Sequence, residues 1–187
     1  MKATPREGST AIWDAIGVTA SEVLGRNAEL PSLNQRSEAA RRDAKQGPTQ
    51  RRRAIILLTD GQDTSSRLTR DEAIKRALDA ETVIYAIGIG DNKYDGVDHG
   101  AVNAVASGTG GRAFFPKRET DLRAAFAEIE QELRSQYLIA YSSTNKNRDG
   151  GYREMRIDIT NPALQKEQLK LRHRPGYYAK PTRSASR

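Results

Sequence analysis

The sequence predicts an α/β fold: a parallel sheet flanked by helices, with a small antiparallel β appendage at the carboxyl end. Three observations predict it. Ala54-Ile55-Ile56-Leu57-Leu58 and Thr82-Val83-Ile84-Tyr85-Ala86-Ile87-Gly88-Ile89-Gly90 are near-continuous apolar runs of strand length, the pattern of strands buried on both faces. Each is followed by a segment with helical spacing, and alternation of strand and helix reads as a parallel sheet. The last third changes character, to short strand-like segments joined by turn-rich stretches, which reads as antiparallel pairing.

In chain order, Ile12, Ile16, Ala20, Val23 and Leu24 follow helical spacing, so a helix is expected from Ser9 to Arg26, capped by Ser9 or Thr10 and ended by Gly25. Residues 27–52 are a polar, basic connection punctuated by Pro31 and Pro48, with a short exposed helix expected from Ser37 to Lys45. After the strand at 54–58, Thr69-Arg70-Asp71-Glu72 is a capping box opening a helix whose Ala73, Ile74, Ala77 and Leu78 face inward. The strand at 82–90 leads into a polar loop from Asp91 to Gly100, a short helix from Ala101 to Ala106, a turn at Thr109-Gly110-Gly111, and a third strand from Arg112 to Phe115. A helix from Asp121 to Gln136 follows, with Leu122, Phe126, Ile129 and Leu133 stepping by four, three and four. Three further strands are expected at Tyr137–Tyr141, Tyr152–Thr160 and Gln168–His173, separated by Ser142–Gly151 and a turn at Asn161-Pro162. The organisation is thus one α/β unit over 1–136, a β extension over 137–178 and a frayed tail over 179–187.

At 187 residues the chain has room for one ordinary domain, and 36 % hydrophobic with 29 % charged residues predicts a modest core with long polar excursions. The absence of cysteine excludes disulfides, thiolate metal sites and cysteine nucleophiles, and leaves the redox compartment open. No signal peptide is recognised near Met1, and no apolar stretch approaches the roughly 18 residues of a membrane span. The net charge of +7 raises the question of nucleic-acid or anionic-surface binding. From Arg36 to Arg53 seven basic residues face two acidic ones, so much of the excess sits in the polar connection. No aromatic residue is interleaved there for base stacking, which argues against nucleic acid and for a solvated basic loop.

Asp60 ends the aliphatic run as Thr59-Asp60-Gly61, at the carboxyl end of a strand where α/β sheets deliver functional side chains. Gly8-Ser9-Thr10-Ala11 places a hydroxyl at the start of a helix. Together these resemble two of the three metal-site motifs of the von Willebrand factor A domain, over roughly residues 8–141. The closing strands with Gly176-Tyr177-Tyr178 look like the carboxyl-terminal extension of a bacterial subgroup, whose members are usually exported. The resemblance implies a Rossmann-like fold and a protein-binding or adhesion function, without catalysis, through a Mg²⁺ or Mn²⁺ ion at the top of the sheet. By motif match Thr10 and Asp60 are similar to the family's threonine and aspartate ligands, and a carboxylate of a protein partner would complete the octahedron. Oxygen donors suit such a hard cation. Read from the residues alone, Thr10 can equally be a helix cap, Asp60 a turn-former, and Asp63 is expected to be solvated.

The family's third motif, Asp-x-Ser-x-Ser, occurs nowhere in the sequence. In the family it lies on the first, central strand of a sheet ordered 3-2-1-4-5-6, so this chain reads as the latter part of such a domain. Its metal site is then incomplete, with Mg²⁺ or Mn²⁺ held weakly or not at all, and residues 54–58 form an open edge. A start chosen too late, a truncated gene, or a chain supplying the missing strands would each explain this, and self-association of the isolated chain is expected. The alternatives are basic binding through 36–53, which salt should weaken where a chelator would not, or an inactive fragment of a longer protein. Other chemistry finds little support. Asp91-Asn92-Lys93-Tyr94-Asp95-Gly96 carries Lys93 at a calcium-ligand position and Val102 where a bidentate glutamate is required. Gly88-Ile89-Gly90 has Lys93 in place of a third dinucleotide-binding glycine. His99 and His173 are the only histidines, and no Gly-x-Ser-x-Gly elbow occurs, which argues against a hydrolase.

Overall fold

Aliphatic β-branched runs separated by capped helices build a sheet whose two faces are covered unequally. The computed structural model of the chain describes residues 9–24, 53–60, 62–90, 97–137, 139, 141–167 and 169–179. In chain order its elements are α1 (Ile12–Val18), continued by a π-helical stretch (Thr19–Leu24), β1 (Arg53–Thr59), α2 (Arg70–Asp79), β2 (Thr82–Gly88), α3 (His99–Gly108), β3 (Ala113–Phe114), α4 (Glu119–Arg134), β4 (Tyr152–Glu154), α5 (Pro162–Gln165) and β5 (Gly176–Tyr178). The first three strands form a parallel sheet in the order β1-β2-β3, and β4 and β5 form a separate antiparallel pair. Between β1 and β2 the register runs without interruption from Arg53 opposite Thr82 to Thr59 opposite Gly88.

Strand alternation sorts the side chains into two layers. On one face Ile55, Leu57 and Ile84 pack with Ile12, Ile16 and Ala20 of the first helical segment, Ala73 and Ala77 of α2, and Val105 of α3. Ala86 continues this layer against Val102 and Ala106. On the other face Tyr85, Ile87 and Phe114 meet Ala125 and Ile129 of α4. Burial pushes the Tyr85 phenol above its ordinary pKa, and nearby Glu132 adds to the shift. The first face thus has three helices over it and the second has one.

The capping box at Thr69 is present as expected: its hydroxyl accepts from Glu72 N–H at 3.2 Å while Glu72 Oε2 accepts from Thr69 N–H at 2.8 Å. Ala73, Ala77 and Leu78 are buried and Ile74 is partly so. The helix expected at 101–106 begins earlier and ends later, at His99–Gly108, because Asp98 caps it by accepting from Ala101 N–H at 2.9 Å. The helix expected from Ser9 is shorter at its start and passes into π geometry at Thr19, where Ser21 Oγ donates to Gly17 O at 2.7 Å. Of the α4 stripe, Ile129 is buried and Leu122 and Leu133 are partly buried, but Phe126 is 43 % exposed. The helix expected at Ser37–Lys45, most of the basic connection and the Asp91–Gly96 loop lie outside the described residues.

The extension departs most from expectation. Among the described residues, strand is confined to Tyr152–Glu154 and Gly176–Tyr178, paired Tyr152 to Tyr178 and Glu154 to Gly176. The ladder is prolonged at both ends, Met155 N–H to Pro175 O at 2.7 Å and Ala179 N–H to Gly151 O at 2.9 Å. Tyr137, Ile139 and Tyr141 are exposed and belong to no strand, and the described residues of 168–173 are not strand either. Asn161-Pro162 opens α5 instead of a plain turn: Asn161 Oδ1 accepts from Ala163 N–H at 2.9 Å, and proline fits the first helical position, where its missing donor costs nothing. The extension docks on the parallel unit at the end of α3. Gly110 has φ +87°, and a Cβ there would lie 2.6 Å from Arg174 N, so the close backbone approach requires glycine. Lys75 of α2 stands 5.0 Å from the Tyr178 ring centroid, and Arg172 pairs with Glu132 of α4 at 3.4 Å.

Candidate metal and ligand site at the carboxyl end of the sheet

β1 ends in buried Thr59, whose carbonyl accepts from Ile89 N–H at 2.8 Å, and Asp60 emerges exposed at the rim. Among the described residues no hydrogen bond or ion pair engages the Asp60 carboxylate. Thr10 lies half-buried two residues before α1. Its N–H donates to Thr64 Oγ1 at 2.9 Å, and its carbonyl accepts from Thr64 N–H at 2.8 Å and Ser65 N–H at 3.1 Å. The main chain of Thr10 is therefore fastened to the loop that starts at Asp60, four and five residues downstream of that aspartate. No hydrogen bond links Thr10 to Asp60 directly among the described residues.

The same loop closes the start of α1. Expected caps Ser9 and Thr10 do not serve: the cap position is Ala11, without a side-chain bond. Instead Asp63 Oδ2 accepts from Trp13 N–H at 3.0 Å, and Ser66 Oγ accepts from Asp14 N–H at 3.0 Å. Asp63 also holds Ser66, accepting from its N–H at 3.2 Å and from its hydroxyl. The expectation that Asp63 is solvated is thus corrected. Free N–H groups at a helix start attract a carboxylate wherever the fold brings one near, and the acceptor here comes from fifty residues away. Sequence reasoning looked only for caps within the helix's own neighbourhood.

Asp14 returns the contact. Its carboxylate accepts from Leu68 N–H at 2.8 Å and Arg67 N–H at 3.0 Å, which holds its pKa below the ordinary value, with the charges of Arg67 and Arg76 acting the same way. A carboxyl with a lowered native pKa stabilises the fold above its unfolded value and loses that contribution as pH falls through the native one. Asp14→Asn is therefore expected to lower stability at neutral pH and to flatten the acid limb of the stability curve below about pH 5. Urea midpoints measured across pH for both proteins check this; parallel curves would refute it.

A cleft of about 230 Å³ opens beside these residues, lined by Ile12, Trp13, Gln62, Asp63, Arg70, Asp98, Ala101 and Val102. α1, α2 and α3 all begin at this rim, and α2 and α3 do so as helices that follow parallel strands. The acidic groups here are already committed, Asp63 to α1 and Asp98 to α3. Among the described residues no three acidic, histidine or cysteine side chains gather as a metal cluster. The oxygen donors that remain, the Thr10 hydroxyl and the Asp60 carboxylate, are of the hard type a divalent cation prefers, but two are fewer than a full shell. The histidines lie apart: His99 stacks on Phe115 at the start of α3, and His173 sits beside Gly110 past its end. Of the basic run, Arg53 is described, and its guanidinium donates to Ala80 O at 2.9 Å.

The family model of the von Willebrand factor type A domain matches residues 3–129. The chain belongs to the von Willebrand factor type A domain family. The match covers the parallel sheet, α1 to α3, the first two-thirds of α4 and both motif residues, Thr10 and Asp60, and members of this family are generally protein-interaction modules. No curated protein matches the chain. Among solved structures, it is similar to an uncharacterized membrane spanning protein from Vibrio fischeri, at 24 % identity and a TM-score of 0.43, over 54 % of this chain and 55 % of that one. The chain thus spans about half the length of that structure. No helix among the described residues of this von Willebrand A domain is long and apolar enough to cross a membrane.

Proposed function

We propose that this chain is a non-catalytic protein-binding module that receives a carboxylate of a protein partner at the carboxyl end of its parallel sheet, with Thr10 and Asp60 as the residues that hold Mg²⁺ or Mn²⁺ there. The observation that carries this reading is the fastening of the Thr10 main chain to Thr64 and Ser65, within the loop that Asp60 begins. It supports a shared rim for the two motif residues of the von Willebrand A domain. When bound, the ion supplies a fixed positive charge that a carboxylate can ligate. The chain's own part is positional. Asp60 offers a carboxylate not engaged by other described residues, Thr10 offers a hydroxyl, and the Asp63–Ser66 clasp holds the start of α1 against the loop.

Two protein oxygens give weak affinity, so water and the partner must fill the remaining positions. In a titration of the purified chain with Mn²⁺, followed by the relaxation rate of solvent water, weak saturable binding is expected. Asp60→Ala should abolish it and Thr10→Val should reduce it, with circular dichroism unchanged in both. Mn²⁺ binding that neither substitution alters would overturn the assignment, as would a wild-type chain that binds none.

A further inference from the structure

The β extension meets the parallel unit at the amino end of the sheet, opposite the rim that carries Thr10 and Asp60, and one carboxylate sits at the seam. Glu132, near the end of α4, pairs with Arg172 of the extension at 3.4 Å and with Arg112, at the entry to β3, at 3.7 Å. It also accepts from the Tyr85 phenol of β2. Arg112 is bonded in turn to Glu128, so charges of alternating sign run from Glu128 through Arg112 and Glu132 to Arg172. The Glu132 side chain is 25 % exposed, which leaves these pairs within reach of ions from solvent. Lys75 over the Tyr178 ring and the Arg174 backbone against Gly110 belong to the same seam. None of the three apolar clusters formed by the described residues includes a residue of the extension. The extension is tied within itself by the β4–β5 ladder, by Tyr152 edge-on to Tyr178 at 5.2 Å, and by Arg153 on Asp149 at 2.8 Å.

We propose that the extension is a detachable clamp, latched to the parallel unit through Glu132 and released as one piece when ionic strength rises. Three features favour this. The contact that joins the two parts through Glu132 is an ion pair, the kind of contact that salt weakens, whereas salt does not weaken the apolar packing that holds the sheet and its helices. The open state strands no charge: when Arg172 leaves, Arg112 still neutralises Glu132, and Arg172, already 37 % exposed, returns to water. The extension also has its own internal ties, so it leaves as a cooperative unit, in the way local openings of a fold generally occur. Release takes the Arg174 backbone off Gly110 and opens the end of α3 to water, while β2 keeps its core. The fold thereby carries a cover over the start of β3 whose position follows the ionic surroundings. This inference does not depend on the metal site.

Hydrogen exchange of the full chain, read by mass spectrometry, tests this between about 0.01 M and about 1 M NaCl, over which the screening length falls from about 30 Å to about 3 Å. At high salt the amides of residues 106–112 and 172–179 should exchange about threefold faster or more, while residues 82–88 of β2 keep their rate. Arg172→Gln and Glu132→Gln should each reproduce that gain at low salt, and the double variant should be no faster than Glu132→Gln alone, because both substitutions break one pair. Glu128→Gln, which touches Arg112 but not the extension, should leave exchange at 172–179 unchanged. Exchange indifferent to salt and to both substitutions would overturn the proposal. Equal acceleration of β2 would also overturn it, since the two parts would then open together, and additive gains in the double variant would deny that Glu132 and Arg172 form one latch.

Discussion

Gly111→Ala is expected to cost about 3 kcal/mol of stability or more, the upper end of what overpacking a core does. A Cβ at this position would stand 1.9 Å from the Ile84 carbonyl oxygen and 2.7 Å from its carbon. Those atoms are backbone of the central strand, so no rotamer change can make room. Just before it, Thr109 Oγ1 accepts from Ile84 N–H at 2.9 Å, and just after it Ala86 N–H donates to Arg112 O at 3.0 Å. The added methyl would force apart a seam pinned on either side. Urea denaturation of both proteins checks this, and a loss of that size should lower the melting temperature by roughly 6–12 °C in a domain of this length. A Gly111→Ala protein with the wild-type midpoint would show that the turn is not held against β2.

Ile84→Ala should be comparably severe, about 3–5 kcal/mol. Ile84 is fully buried, and its neighbours in the core include Ala20, Ala73, Ala77 and Ala80. Alanines cannot reorient to fill a vacated space, so the void persists and its lining loses contacts outright. Ile84→Val is the control, with an expected cost of about 1 kcal/mol. Equal losses for the two variants, read from the same urea curves, would mean that the site collapses around the smaller residue. Either cost is a large share of the roughly 5–15 kcal/mol that holds a domain folded.

The parallel unit was legible because its signals are local. The run from Ala54 to Leu58 reads as a strand, although burial on both faces is corrected by Ile56 and Leu58, which stay 45 % and 55 % exposed because α4 packs on β2 and β3, and Thr69 with Glu72 is a complete cap within four residues. The motif residues Thr10 and Asp60 are read from equally local signals, Asp60 directly after β1 and Thr10 two residues before α1. What was not legible depended on partners far along the chain. Asp63 looked solvated because its acceptor role is addressed to Trp13, fifty positions earlier. Phe126 fits the inward stripe of α4 by spacing, yet stays exposed because β1 extends beyond the helix's reach. In the extension the sequence alternates well, but alternation says nothing about whether a neighbouring strand is there to pair, and Tyr137 is 92 % exposed. Asn161-Pro162 carries the same residues for a turn and for a helix start, and only the following Ala163 to Gln165 decided between them.

The closure of α1 by Asp63 and Ser66 has a bearing on the order in which the molecule assembles. A seven-residue helix is too short to persist in water by itself, and its first donors are satisfied only after a loop fifty residues away has formed. α1 should therefore be among the last pieces to settle, arriving on a platform of strand and helix that folded without it. In the finished protein the bonds from Thr10 to Thr64 and Ser65 make Thr10 ride with that loop, so any displacement of the rim carries both along together.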